Sequence, residues 1–208
     1  MSVREAKKEK RRVAIEAAGL DLFVQEGYDR TSVEKIVAAS DIARGTFYLY
    51  FKDKHALFET LVERLYGPLV EILEEHQRAL SEARNTSQQQ ALYMKMAWAM
   101  TEQVVKLQPL ALLHFRVAWS AGPAGETVRQ WRNRIESLAR SILVDASQRG
   151  FVRDHDHTIV AMAIVGAAER LAWAWVSSDG DLDKARVATE LADLFWKGIH
   201  GWETATTA

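Results

Sequence analysis

Apolar residues recur along this chain at three- and four-residue intervals almost from end to end, the period of an amphipathic helix. In 12–26, Ile15, Ala18, Leu22 and Phe23 form a stripe opposite Arg12, Glu16, Asp21 and Glu26. Gly27 stands where a left-handed residue would close that helix, with Tyr28 packing back on its last turn. "TSVE" at Thr31–Glu34 reads as a capping box, with Thr31 as N-cap and Glu34 reaching back. Val33, Ile36 and Val37 give a short second helix its apolar face, and it ends near Ala39 and Ser40. Only a tight turn, Ser40 to Ile42, fits before the next element.

That element, "RGTFYLYFKDK" from Arg44 to Lys54, is ambiguous in isolation. As a strand it would place Phe47, Leu49 and Phe51 on one face; as a helix it pairs Phe47 with Phe51 and Arg44 with Tyr48. The flanks decide for a helix over Arg44–Phe51. A capped helix lies on each side, and no partner strand is available. Asp53 then serves as N-cap to a fourth helix carrying Leu57, Leu61 and Leu65 in one row. Two short helices joined by a turn of about three residues, held against a preceding helix, form the helix-turn-helix pattern. Phe47 and Phe51 are left facing the core, and Arg44, Thr46, Tyr48 and Tyr50 face out. An outward Arg with Tyr suits base edges, thymine methyls and phosphates. Gly45 permits close approach to a duplex. The N-termini of the second and fourth helices (Thr31, Ser32; Asp53, Lys54) offer free N–H groups to phosphate oxygens.

Over roughly 12–62, from "AIEAAGLDLFVQEGYDRTSVEKIV" through "GTFYLYFKDKHALFETLV", the chain resembles the TetR family of transcriptional regulators. The resemblance implies base-edge and groove contacts for Arg44, Gly45, Thr46 and Tyr48. It implies phosphate contacts for Thr31, Ser32, Tyr48, Tyr50 and Lys54. Two positions depart from the family pattern: Asp41 stands where the turn usually has Gly, and Ala43 where it has Ser or Thr. Asp tolerates left-handed backbone, so the turn should survive. The lost hydroxyl at 43 removes a possible phosphate contact or cap.

Beyond residue 62 the periodicity predicts helices at about 88–107, 109–120, 124–149, 155–177 and 182–200, with a polar connector at 81–90. Gly67-Pro68 should interrupt and kink the fourth helix. All seven Trp lie at 98 or beyond. Met94, Trp98, Thr101, His114, Phe115 and Trp119 fall on the helices that wall the effector cavity in the proteins this chain resembles, which implies an apolar pocket. His114 also reads as a satisfied core histidine. By the same resemblance the last two helices pair with those of a second subunit, where Ala161, Ala163, Gly166 and Ala167 would allow close approach. Glu169-Arg170 reads as an interface ion pair. "DHDH" at Asp154–His157 invites a metal reading, but i,i+2 spacing does not bring two histidines together on a helix, so no metal is expected.

Composition narrows the function classes. No cysteine occurs in the 208 residues, which excludes disulfides, thiol catalysis and zinc–thiolate sites. No nucleophilic triad, carboxylate pair or glycine-rich phosphate loop stands in a catalytic context. The net charge is −1, but residues 1–54 carry 11 Lys and Arg against 9 Asp and Glu, and the first twelve alone 6 against 2. That basic run reads either as a disordered tail or as a minor-groove arm. No signal peptide follows it, and the longest apolar run, Ile159–Ala168, is too short to span a bilayer. The expectation is an all-α, cytoplasmic chain without cofactor, enzyme activity or membrane partner. Its DNA-binding domain is 1–54, and its helical effector-binding and dimerisation domain is 55–208. It would act as a homodimeric repressor, paired through about 155–200, that leaves a double-stranded, inverted-repeat operator when a small apolar or aromatic effector binds. An activator of the same fold, or a small-molecule-binding protein with a degenerate helix-turn-helix, are the alternatives.

Overall fold

The computed structural model describes residues 2–177 and 183–200, and every element among them is an α-helix. In order these are α1 (Val3–Gln25), α2 (Val33–Ala39), α3 (Arg44–Tyr48), α4 (Lys54–Glu82), α5 (Thr86–Lys106), α6 (Gln108–Val117), α7 (Pro123–Gln148), α8 (His157–Ser177) and α9 (Lys184–His200). They sort into two compact units. The first takes the chain to Tyr66 together with Leu107–Trp131; the second takes Gly67–Lys106 and the described residues from Arg132 onward.

In the first unit the core is aromatic. Phe23, Phe47, Phe58, Ile15 and Ile36 are fully buried. Phe58 meets Phe23 and Tyr28 edge-on, at centroid distances of 5.9 and 5.1 Å. One carboxylate, Glu16, is buried with this core. It accepts from Arg12 one turn earlier at 2.9 Å and pairs with Arg64 of α4, so the buried charge is compensated from two helices. The charged N-terminal run is neither tail nor extended arm. It is the first turns of α1, started by a capping box in which Ser2 Oγ accepts from the Glu5 N–H and Glu5 accepts from the Ser2 N–H.

The expected interruption of the fourth helix does not occur: α4 is continuous, with Pro68 inside it. Proline removes one helical hydrogen bond and clashes with the preceding turn, a cost of about 3 kcal/mol. Leu65, Tyr66, Leu69 and Val70 are all buried around it, and each buried side chain of this size contributes about 1.5–3 kcal/mol. Burial outweighs the break. The expected connector shrinks for a second reason. Asn85 Oδ1 accepts from the Gln88 N–H, and Gln88 Oε1 accepts from the Arg84 N–H, so "NTSQ" starts α5.

The second unit centres on Leu80, Ala83, Leu143, Ala146, Val152, Ala161 and Ile199. The Arg149 guanidinium donates to the carbonyls of Leu80 and Ala83, covering the end of α4, and stacks on Phe151. Glu169 accepts two bonds from Arg132 of α7, at 2.8 and 2.9 Å. Residues 153–156 are not helical, so the helical spacing argument does not apply to "DHDH". The His155 and His157 rings come within 4.7 Å, with the His155 Nδ1–H donating to the Arg153 carbonyl at 2.7 Å. Among the described residues no group of three His, Asp or Glu could hold a metal. Asp156 simply caps α8 through the N–H groups of Thr158 and Ile159. By length and composition α8 could cross a bilayer, a property that the shorter run Ile159–Ala168 hides.

His76 of α4 is buried edge-on to Tyr93 of α5, which tilts in turn against Trp196 of α9. Burial disfavours the imidazolium and pushes the His76 pKa down from 6.5 to about 4. The unfolded chain therefore takes up this proton first as pH falls. Stability contributed by the neutral ring is complete above pH 6.5 and lost between 6.5 and about 4. Urea unfolding at pH 7 and pH 4.5 should differ by roughly 2–3 kcal/mol more in the wild type than in His76→Leu. Equal pH dependence of the two proteins would remove His76 as the cause.

Candidate nucleic-acid interface

The turn between α2 and α3 is built by backbone geometry. Asp41 adopts φ +50°, the sole non-glycine residue with positive φ among the described residues, so it fills the left-handed position usually given to Gly. Gly27, at φ +92°, closes α1 as its sequence position predicts. The cap of α2 differs by one residue from expectation. Ser32 is the N-cap, its Oγ accepting from the Lys35 N–H, whereas Thr31 is buried and donates its hydroxyl to the Gly27 carbonyl at 2.9 Å. Helix α3 is shorter than expected, because after Tyr48 the chain turns, with the Tyr50 and Phe51 N–H groups both returning to the Phe47 carbonyl. Asp53 caps α4 through the Ala56 N–H, as read from sequence.

Phe47 and Phe51 are buried, and Tyr48 is 47% exposed. The sequence reading missed Leu49, which is 79% exposed at the end of α3. Had the helix continued, Leu49 would have passed as one more surface position; the early turn leaves it exposed as the C-cap of α3. Arg44 lies exposed between two partners. Its guanidinium pairs with Glu34 of α2 at 2.7 Å and donates to the Tyr48 hydroxyl, and both interactions raise its pKa, the Tyr48 bond more. Glu34, expected in a capping box, is instead this partner, and its carboxyl is held below the usual range by hydrogen bonds at the start of α2 and by Arg44. Gly45 has open space where a Cβ would stand, so no neighbour obstructs approach to the α3 backbone. Ser32, Thr46 and Tyr50 are half-buried at the edge of the same surface.

Lys54 has an internal assignment. Its ammonium donates to the carbonyls of Tyr28, Asp29 and Thr31 at 2.8, 3.3 and 2.9 Å and lies 4.4 Å from the Tyr28 ring centroid. All three donors close the α1–α2 connection. Thr31 and Lys54 therefore differ from the phosphate-contact expectation, because their polar side-chain atoms are committed inside the unit.

The expected effector residues divide between the two units. Met94, Trp98 and Thr101 lie on one face of α5 in the second, and Thr101 donates to the Ala97 carbonyl. His114 and Phe115 lie on α6 in the first, ring centroids 4.6 Å apart. His114 is buried, 2.8 Å from the Tyr66 hydroxyl, and Tyr66 stacks on Trp131. Neither Tyr66 nor Trp131 carries a motif that sequence reading could have used to find it. Trp119 is in the α6–α7 turn rather than on a helix, and it is 82% exposed.

A three-helix core presenting a short helix with exposed Arg44 and Tyr48 is a DNA-binding helix-turn-helix module. Residues 15–61 match the family of bacterial regulatory proteins named tetR, and 94–199 match the tetracyclin repressor-like C-terminal domain. The chain belongs to the TetR family: it is a DNA-binding transcriptional regulator, not an enzyme. The fatty acid metabolism regulator protein of Bacillus subtilis (strain 168) is 24% identical over 188 residues, covering 88% of this chain and 92% of its own. A TetR-family regulator from Syntrophomonas wolfei superimposes with a TM-score of 0.77 at 21% identity, covering 95% of this chain and 98% of that one. FadR from Bacillus subtilis, solved in complex with stearoyl-CoA, gives 0.72 at 22% identity, covering 90% and 99%.

The internal assignment of Lys54 separates two kinds of variant. Lys54→Met should lower the melting temperature, since three carbonyls lose their donor at about 1–3 kcal/mol in total, and any loss of DNA affinity should track the unfolded fraction. Tyr48→Ala should leave melting unchanged while weakening a specific site by about 1–3 kcal/mol relative to random duplex. If Lys54→Met melts like the wild type yet binds all DNA less well, its ammonium is a phosphate contact after all.

Proposed function

We propose that the chain is a homodimeric, one-component, cytoplasmic repressor that leaves an inverted-repeat operator when an acyl-chain ligand, carried as a coenzyme A thioester, binds its helical C-terminal part. The exposed face of α3 carries the DNA half of this reading. In this reading Arg44, Gly45, Thr46 and Tyr48 contact the groove, and Ser32 and Tyr50 contact the phosphates. For pairing, the supporting observation is the outer face of α8. Ile159 and Met162 are 64% and 56% exposed there, in line with the small residues Ala163 and Gly166. Apolar surface of this kind is covered in a stable soluble protein, and a twofold partner covers it with the same face of a second copy. Two recognition helices related by that axis then require a site with dyad symmetry.

The ligand class is supported by the relative named for fatty acid metabolism and by the similarly folded FadR that holds stearoyl-CoA. It narrows the expectation of a small apolar or aromatic effector to a long alkyl chain with a polar, anionic head. The α5 face of Met94, Trp98 and Thr101 supplies the candidate contacts. Release needs only that the ligand bind the operator-free form better, by a few kcal/mol.

Duplexes selected from a random pool supply the operator, and titration with acyl-CoA thioesters of increasing chain length tests the switch. A thioester should quench tryptophan emission and weaken operator binding, and operator should weaken the thioester by the same factor. Trp98→Ala should blunt the response and leave operator affinity in place. Tight thioester binding with unchanged operator affinity would refute release by ligand and favour an activator.

A further inference from the structure

The first turns of α1 lie ahead of the family match, which begins at residue 15, and every described residue from Ser2 to Val13 is exposed. Six basic residues fall in this stretch: Arg4, Lys7, Lys8, Lys10, Arg11 and Arg12. Arg12 is taken by Glu16; the other five form no ion pair or hydrogen bond with any described residue. The helix sorts them. Arg4, Lys7, Lys8 and Arg11 follow i, i+3, i+4, i+7 spacing and share one face, while Glu5 and Glu9 are set on the neighbouring one. The segment also borders the reading helix. Glu5, Lys8, Glu9 and Arg12 line a groove whose other side is Leu49, Tyr50 and Lys52, immediately after α3, together with Glu59 and Glu63 of α4.

We infer that the face formed by Arg4, Lys7, Lys8 and Arg11 is a second DNA contact, a rigid helical rail that follows the phosphodiester backbone flanking the bases read by α3. The inference rests on the DNA-binding reading above. A helix about 10–12 Å across does not enter a minor groove about 6 Å wide, so the basic run does not act as an inserted arm. It lies along the phosphates instead. The stretch from Arg4 to Arg11 spans about 10 Å, the reach of two to three successive phosphates of one strand. The carboxylates on the groove side repel phosphate, which turns the basic face rather than the groove toward the duplex. Because these contacts are electrostatic, they strengthen binding to every sequence and extend the footprint without changing the bases recognised.

The test uses the full chain with Arg4, Lys7, Lys8 and Arg11 all changed to Gln, which keeps helix propensity and removes the charge. With operator duplex, the slope of log affinity against log salt should fall by about 2 per bound protomer. Hydroxyl-radical protection should disappear from the outer flanks of each half-site and persist under α3. Melting temperature should be unchanged. The variant with Arg4→Lys and Arg11→Lys should restore the wild-type slope, since a phosphate rail needs charge and not a bidentate fork. An unchanged slope and footprint in the Gln variant overturns the proposal. So does a difference from wild type that shows only on phosphatidylglycerol vesicles, which would make the face a lipid contact. If the wild type binds no selected duplex, the regulator reading and this one fall together. Loss of specificity in Tyr48→Ala with its salt slope intact confirms that the reading helix works and isolates the rail as the variable.

Discussion

The ammonium of Lys54 is the constraint on which the DNA-binding unit turns. The chain must reverse direction between α1 and α2, and that reversal leaves the carbonyls of Tyr28, Asp29 and Thr31 pointing at one spot. Three carbonyls converging without a donor would be costly to bury. A single ammonium with three donors answers all of them, and its position at the first turn of α4 ties the start of that helix to the end of α1. The Tyr28 ring beneath it packs on Phe23 and Phe58, so the same cation sits on the aromatic core. Arg in its place would bring a planar fork to a site that needs a compact cation.

With α1, α2 and α4 fixed in this way, α3 can be very short and still be well oriented. Its five residues could not hold a helix alone. Phe47 anchors it from below, the left-handed Asp41 sets its entry, and the turn after Tyr48 ends it against Phe51. Arg44 gains its orientation from outside the helix, through Glu34 on α2 and Tyr48 one turn on. The two exposed partners hold the guanidinium without burying it, so its donors remain reachable by a base edge.

Much of this could be read from sequence, and where reading failed the cause is tertiary. Periodicity located the helices, and the positive-φ role of Gly27 and Asp41 followed from residue type. The error at Thr31 came from two adjacent cap-competent residues: burial of Thr31 against Gly27 hands the cap to Ser32. Lys54 matched a surface motif, yet its partners lie more than twenty residues earlier, beyond the reach of spacing arguments. Pro68 reads as a break, but burial on either side of it is invisible locally. The pairing of Glu169 with Arg132, 37 residues away, is lost to any argument from neighbours. The His114–Tyr66 bond, linking positions 48 apart, is of the same kind.

The two units handle charge in opposite ways, and this shapes where function can reside. In the first, buried charge is compensated within the fold, as with Glu16 between Arg12 and Arg64, so the cations left exposed along the start of α1 are available to an outside polyanion. In the second, Arg149 and the Arg132–Glu169 pair lie against α4 and α8, satisfying backbone and neighbour, while Ile159 and Met162 of α8 are exposed. A surface with unpartnered cations recruits a ligand whose binding depends on salt. A surface of Ile, Met, Ala and Gly recruits a partner whose binding does not. Raising salt should therefore strip a TetR-family regulator of this build from DNA.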